Sequence, residues 1–125
     1  MVGGGAGGCS TAAKFAKKLG KGRVAVIEPS DTHYYQPMWT LVGGGLKPMS
    51  QSGKPMAQVL PSGAEWLRTR AVAFDPDAST VTTEDGTTVE YEYAVLAMGI
   101  QVIVTINSNC RFYSFVLWYM VTMGN

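Results

Sequence analysis

Gly3, Gly5 and Gly8 stand in the spacing G-x-G-x-x-G. Each glycine in such a loop answers a separate physical need. The first permits a tight turn, the second lets backbone approach a pyrophosphate, and the third lets the following helix pack closely on a strand. Free N–H groups at the helix start then face the phosphates, together with the positive end of the helix dipole. In a stretch with five glycines among its first eight residues, the pattern alone is equally a flexible linker. Glu28 supplies context. It lies 20 residues after Gly8, at the end of an apolar run, where a carboxylate accepts hydrogen bonds from a ribose. Its charge repels a phosphate on that ribose, so FAD or NAD fits better than NADP. Other chemistry is sparse. Cys9 and Cys110 are far apart and form no C-x-x-C, which excludes zinc ribbons and disulfide scaffolds. Cys9 reads as a small residue packing against a strand, although a helix N-terminus can activate a thiol. A single histidine, His33, excludes a histidine-rich metal site and reads as structuring its loop.

The elements that would position these groups follow from period and punctuation. Residues 9–19 place Ala12, Ala13, Phe15, Ala16 and Leu19 at helical spacing with lysines between them, and Gly20 and Gly22 stop the helix. Residues 23–28 form a β-branched apolar run, read as a strand buried on both faces and closed by Pro29. Residues 30–62 show no period and hold four prolines and three consecutive glycines, so they read as a long excursion with one short helix near residues 38–42. Residues 65–74 read as a strand. Residues 80–83 and 88–92 flank Glu84-Asp85-Gly86-Thr87 and predict a hairpin. Residues 93–98 predict a further strand. The fingerprint normally follows a strand of about five or six residues. Here only Met1 and Val2 precede it, so that first strand is expected to be largely missing.

The chain has 125 residues, 15% of them charged, and a formal net charge of +1. That size sets a limit of one small domain or a piece of one, and the near-neutral balance gives no field that would recruit nucleic acid. The charges are unevenly placed. Residues 1–27 carry five basic residues and no acid, six of nine acids fall between residues 75 and 92, and residues 102–125 carry Arg111 alone. A change of that kind marks a boundary near residue 101.

Residues 2–101 resemble sulfide:quinone oxidoreductase in its mitochondrial animal form. The segments that carry the resemblance are VGGGAGG at 2–8, VAVIEPSDTHYYQPMWTLVGGG at 24–45, PSGAEWL at 61–67, FDPD at 74–77 and YAVLAMGIQ at 93–101. The glycine loop and its acid are common to many flavoproteins, whereas HYYQPMWTLVG is far more diagnostic. The resemblance implies an α/β fold: part of an FAD-binding Rossmann-like domain over residues 1–101, with a parallel sheet and a β-hairpin insertion. It implies FAD contact through Gly3, Gly5, Ala6, Gly7 and Gly8 at the pyrophosphate, Glu28 at the ribose, Gln36 in the following loop, and the backbone of Ala71 at the adenine. Ala97-Met98-Gly99 resembles the A-T-G motif where such chains pass the cofactor again, with a different middle residue. The implied reaction is oxidation of sulfide at a cysteine pair, with electrons passing through FAD to ubiquinone on the mitochondrial inner membrane. Those cysteines do not carry over, so this chain alone is expected to be inactive. The rivals are another two-domain flavoprotein, such as a type II NADH dehydrogenase, and a non-catalytic truncated product. No targeting segment is visible.

Residues 102–125 match nothing in that family. Their uncharged part, residues 112–125, is shorter than the roughly 20 residues a membrane span requires. Valine codons and introns both begin GT, so translation of a retained intron accounts for Val102 at the junction. The rival is a segment that touches a membrane.

Overall fold

The structure is a computed structural model, and it describes residues 1–99. The tail at residues 102–125 lies outside the described residues. Helix α1 (Ala6–Leu19) leads into strand β1 (Val24–Ile27) and strand β2 (Thr32–Tyr34). A 3-10 turn at Gln36–Met38 joins helix α2 (Trp39–Gly43), and a second at Met49–Ser52 joins strand β3 (Gly53–Pro55). Helix α3 (Met56–Val59) and strands β4 (Ala64–Leu67), β5 (Ala71–Asp75), β6 (Thr80–Thr83) and β7 (Thr88–Glu90) complete the order.

Three small sheets result. β1 and β4 are parallel, with Val24 opposite Ala64 and Ile27 opposite Leu67. β2 and β3 are antiparallel, and β5, β6 and β7 form an antiparallel meander. Ahead of the glycine loop, Val2 makes parallel bridges to both Ile27 and Leu96. Its N–H donates to Val95 O at 2.9 Å, and Ala97 N–H donates to Val2 O at 2.7 Å. Val2 thus occupies the centre of a parallel sheet in which the predicted strand at 93–98 contributes only a bridge at Leu96.

Other expectations are modified. Residues 65–74 do not form one strand. Thr69 N–H donates back to Leu67 O, and the chain turns there from the parallel pair into the meander. The hairpin about Glu84–Thr87 is present, with Gly86 at φ +85° and its N–H on Thr83 O, but β5 adds a third strand to it. The excursion at 30–62 holds six short elements rather than one helix.

Helix α1 buries Gly8, Cys9, Ala12 and Ala16, whereas Phe15 and Leu19 are exposed. The buried stripe is the one of small side chains. Ala12, Ala16, Val24 and Val26 form one core cluster. Val2, Ile27 and Val81 form the other, with Leu67, Ala71, Tyr91 and Leu96 packed against it, which seats the meander under the parallel strands.

Candidate functional site

The glycine loop runs from the end of the Val2 bridge into α1. Gly3 sits at φ +102°, a backbone conformation that suits glycine, and a Cβ there would stand 2.3 Å from Ala97 O. A Cβ on Gly8 would stand 1.9 Å from Gly3 O. A Cβ on Gly4 would stand 2.7 Å from Glu28 Cγ. These three positions need glycine because the protein's own atoms fill the space. Gly5 and Gly7 differ: nothing lies within 4 Å of a Cβ at either. Gly5, Ala6 and Gly7 are exposed, whereas Gly4 and Gly8 are buried.

Helix α1 begins without a side-chain cap, and no acid lies in its first turn. The first N–H groups of a helix have no intrahelical partner. Here they open onto the exposed face at Gly5, Ala6 and Gly7, with the positive end of the helix dipole behind them. That surface fits a phosphate group.

Glu28 follows β1 and is half-buried beside the loop. Its Oε2 accepts from Gly4 N–H at 2.7 Å, and its Oε1 accepts from Ser30 N–H at 2.7 Å. Trp66 Nε1 donates to the Glu28 carbonyl at 2.8 Å and pins this strand end to β4. A carboxylate has about four acceptor sites, so two protein donors leave it able to accept from a ribose as well.

Behind the loop, Cys9 Sγ donates to Gly4 O at 3.0 Å, and His33 Nδ1 lies 3.0 Å from the same oxygen. Burial pushes the Cys9 thiol pKa up, and the Glu28 charge pushes it further the same way, so the thiol is held protonated. Met56 forms the floor: its side chain is 2% exposed, and its Cε would stand 3.1 Å from a Cβ on Gly4.

The structure therefore gathers Gly3, Gly5, Ala6, Gly7, Gly8 and Glu28 at one place. Ala71 opens β5 and packs into the Val2–Ile27 cluster beneath the loop. Gln36 is exposed on the 3-10 turn, and among the described residues no hydrogen bond ties its side chain to the loop. Trp39 anchors that excursion, with Nε1 donating to Ser52 Oγ at 3.2 Å. Sequence reasoning missed Gly4, Met56 and the convergence of Cys9 with His33. A clue for Gly4 was the unbroken run of glycines, which G-x-G-x-x-G does not require at that position. Among the described residues, no helix is long and apolar enough to cross a membrane, and no cluster of His, Cys, Asp or Glu could hold a metal ion.

Comparison with known proteins agrees with this geometry. The family described as pyridine nucleotide-disulphide oxidoreductase matches residues 1–111. The chain is 42% identical over 101 residues to mitochondrial sulfide:quinone oxidoreductase of Mus musculus, covering 81% of this chain and 22% of that protein. It is 42% identical over 102 residues to the protein of the same name from Dictyostelium discoideum, covering 81% and 23%. Among solved structures, sulfide:quinone oxidoreductase of Aquifex aeolicus superposes with a TM-score of 0.67 at 27% identity, over 82% of this chain and 24% of that one. The chain thus spans under a quarter of the length of these relatives.

Proposed function

Since the chain belongs to the pyridine nucleotide-disulphide oxidoreductase family, we propose that it forms part of the FAD cradle of an oxidoreductase that takes electrons from sulfide and passes them to a quinone. One observation carries this reading. The uncapped start of α1, the exposed backbone at Gly5, Ala6 and Gly7, and the Glu28 carboxylate face one stretch of open surface. The names of the relatives support the substrates.

Within this reading the chain binds and orients. The N–H groups from Gly5 to Gly8 hold the pyrophosphate. Glu28 accepts from the ribose while its bond to Gly4 keeps the loop closed. Ala71 lies toward the adenine and Gln36 along the cofactor's edge, as the resemblance implies. The bound flavin supplies two-electron chemistry: sulfide sulfur loses two electrons and a quinone gains them with two protons, giving a quinol. Cys9 takes no part, because its thiol is buried and donates to Gly4 O. The sulfur chemistry belongs to cysteines that the full-length family carries elsewhere. The domain is residues 1–101, and residues 102–125 derive from a retained intron. A spliced message encoding that tail would remove the latter assignment. The setting is the mitochondrial inner membrane.

The test is flavin retention by the purified chain. With FAD, it should elute from gel filtration carrying flavin absorbance, and Glu28→Ala should lose it. A folded chain that elutes colourless at saturating FAD sinks the cradle. The chain should not catalyse sulfide-dependent quinone reduction, and measurable turnover would overturn its role as a binding segment only.

A further inference from the structure

The peptide joining Gly4 to Gly5 has glycine on both sides, so no side chain of its own opposes rotation of its plane. The structure ties its carbonyl twice. Cys9 Sγ and His33 Nδ1 each stand 3.0 Å from Gly4 O, and they are 3.9 Å from one another. Both side chains are buried, and they come from different elements, α1 and β2. A carbonyl oxygen only accepts, so the geometry requires the His33 ring proton on Nδ1. In a trans peptide, C=O and N–H point in opposite directions. The Gly4 carbonyl is drawn inward, so the Gly5 N–H is turned outward. There Gly5 is exposed, nothing lies within 4 Å of a Cβ, and among the described residues no backbone group accepts its N–H.

We propose that Cys9 and His33 are positioning residues that lock the Gly4–Gly5 peptide in the one orientation that presents the Gly5 N–H to a dinucleotide phosphate. The inference rests on the cradle described above and goes beyond it: it assigns the loop's aim to two side chains that touch no ligand. Glu28 fixes the other side of Gly4 through its N–H, so the peptide groups flanking Gly4 are both held.

His33 is the chain's one histidine, so its ring resonances need no assignment. Nitrogen-15 NMR of the full chain at neutral pH should show a protonated Nδ1 whose proton exchanges slowly. A ring protonated on Nε2 alone overturns the lock. In a flavin-fluorescence titration with FAD, Cys9→Ala and His33→Phe should each weaken binding about three- to tenfold, the size of one modest hydrogen bond. His33→Asn keeps an N–H donor near the Nδ1 position and Cys9→Ser keeps a donor on its β-carbon, so both should bind within about twofold of the parent chain. Equal losses in His33→Phe and His33→Asn would show that the ring merely fills space, and would also overturn the lock. If the parent chain binds no FAD, the cradle fails, while the ring tautomer still decides the lock. Far-UV circular dichroism identifies any variant that fails to fold.

Discussion

Gly8 and Gly5 belong to one motif but answer to different constraints, and substitution should separate them. A methyl group on Gly8 meets the Gly3 carbonyl oxygen, which is backbone and cannot move aside. Gly8→Ala should destabilise the fold by about 1–3 kcal/mol, read as a lower urea midpoint. Gly5 has ordinary extended backbone and open space, so Gly5→Ala should leave that midpoint nearly unchanged and weaken FAD binding instead. A loss of stability in Gly5→Ala equal to that in Gly8→Ala would contradict this division. Cys9 should resist alkylation at neutral pH relative to the same residue in denaturant, as site-resolved mass spectrometry would show, because burial and Glu28 keep its thiol protonated. The sign for stability follows. Above the ordinary thiol range the unfolded chain loses this proton first, so the raised pKa contributes stability at lower pH and that contribution is lost as pH rises. At this scale the sequence was legible where a residue type encodes a backbone demand, as at Gly3, Gly8 and Glu28. The shared bond of Cys9 and His33 was not legible, because only the packing of α1 beside β2 brings residues 9 and 33 to one oxygen.

Helix α1 and strand β1 could be read directly from the sequence because each has a period or a continuous apolar run long enough to count. The face of α1 was harder. Phe15 and Leu19 are its largest apolar side chains, yet the buried stripe is Gly8, Cys9, Ala12 and Ala16. Hydrophobicity marks what can be buried, whereas the fold decides which face of the helix meets the sheet. Val26 is fully buried against that stripe, and Val26→Ala should cost about 1–3 kcal/mol in a thermal or urea melt. Phe15→Ala should cost within about 0.5 kcal/mol, as for an ordinary surface site. If Phe15→Ala proves the more damaging, the helix faces the other way. The excursion at residues 30–62 was not legible, because strands of three residues such as β2 and β3 are too short to display alternation. The backbone beside their pairing continues in Tyr35 N–H donating to Ser52 O at 2.8 Å, and the Ser52 hydroxyl accepts from Trp39 and donates to Met49 O.

The molecule as a whole covers under a quarter of its relatives' length and exposes Tyr35, Trp39, Leu41, Leu46 and Met49 along one excursion. Leu46 is 73% exposed. Exposed apolar surface of this kind promotes association. Sedimentation of the chain should therefore depend on concentration, and a Leu41→Lys, Leu46→Lys double variant should shift it toward monomer without moving the melting midpoint. An unchanged distribution would show that this surface drives no association. The general architecture was legible from the loop and its neighbours, but the manner in which the sheet closes was not. Val2 bridges Ile27 on one side and Leu96 on the other. Closing the chain from residue 2 to residue 96 costs only about 1 kcal/mol more entropy than closing it from residue 2 to residue 27. The larger effect is on order in time, since contacts between distant residues form slowly. During synthesis the phosphate loop leaves the ribosome more than 90 residues before Ala97, the residue that walls in Gly3, so the loop is made long before it can take its final shape.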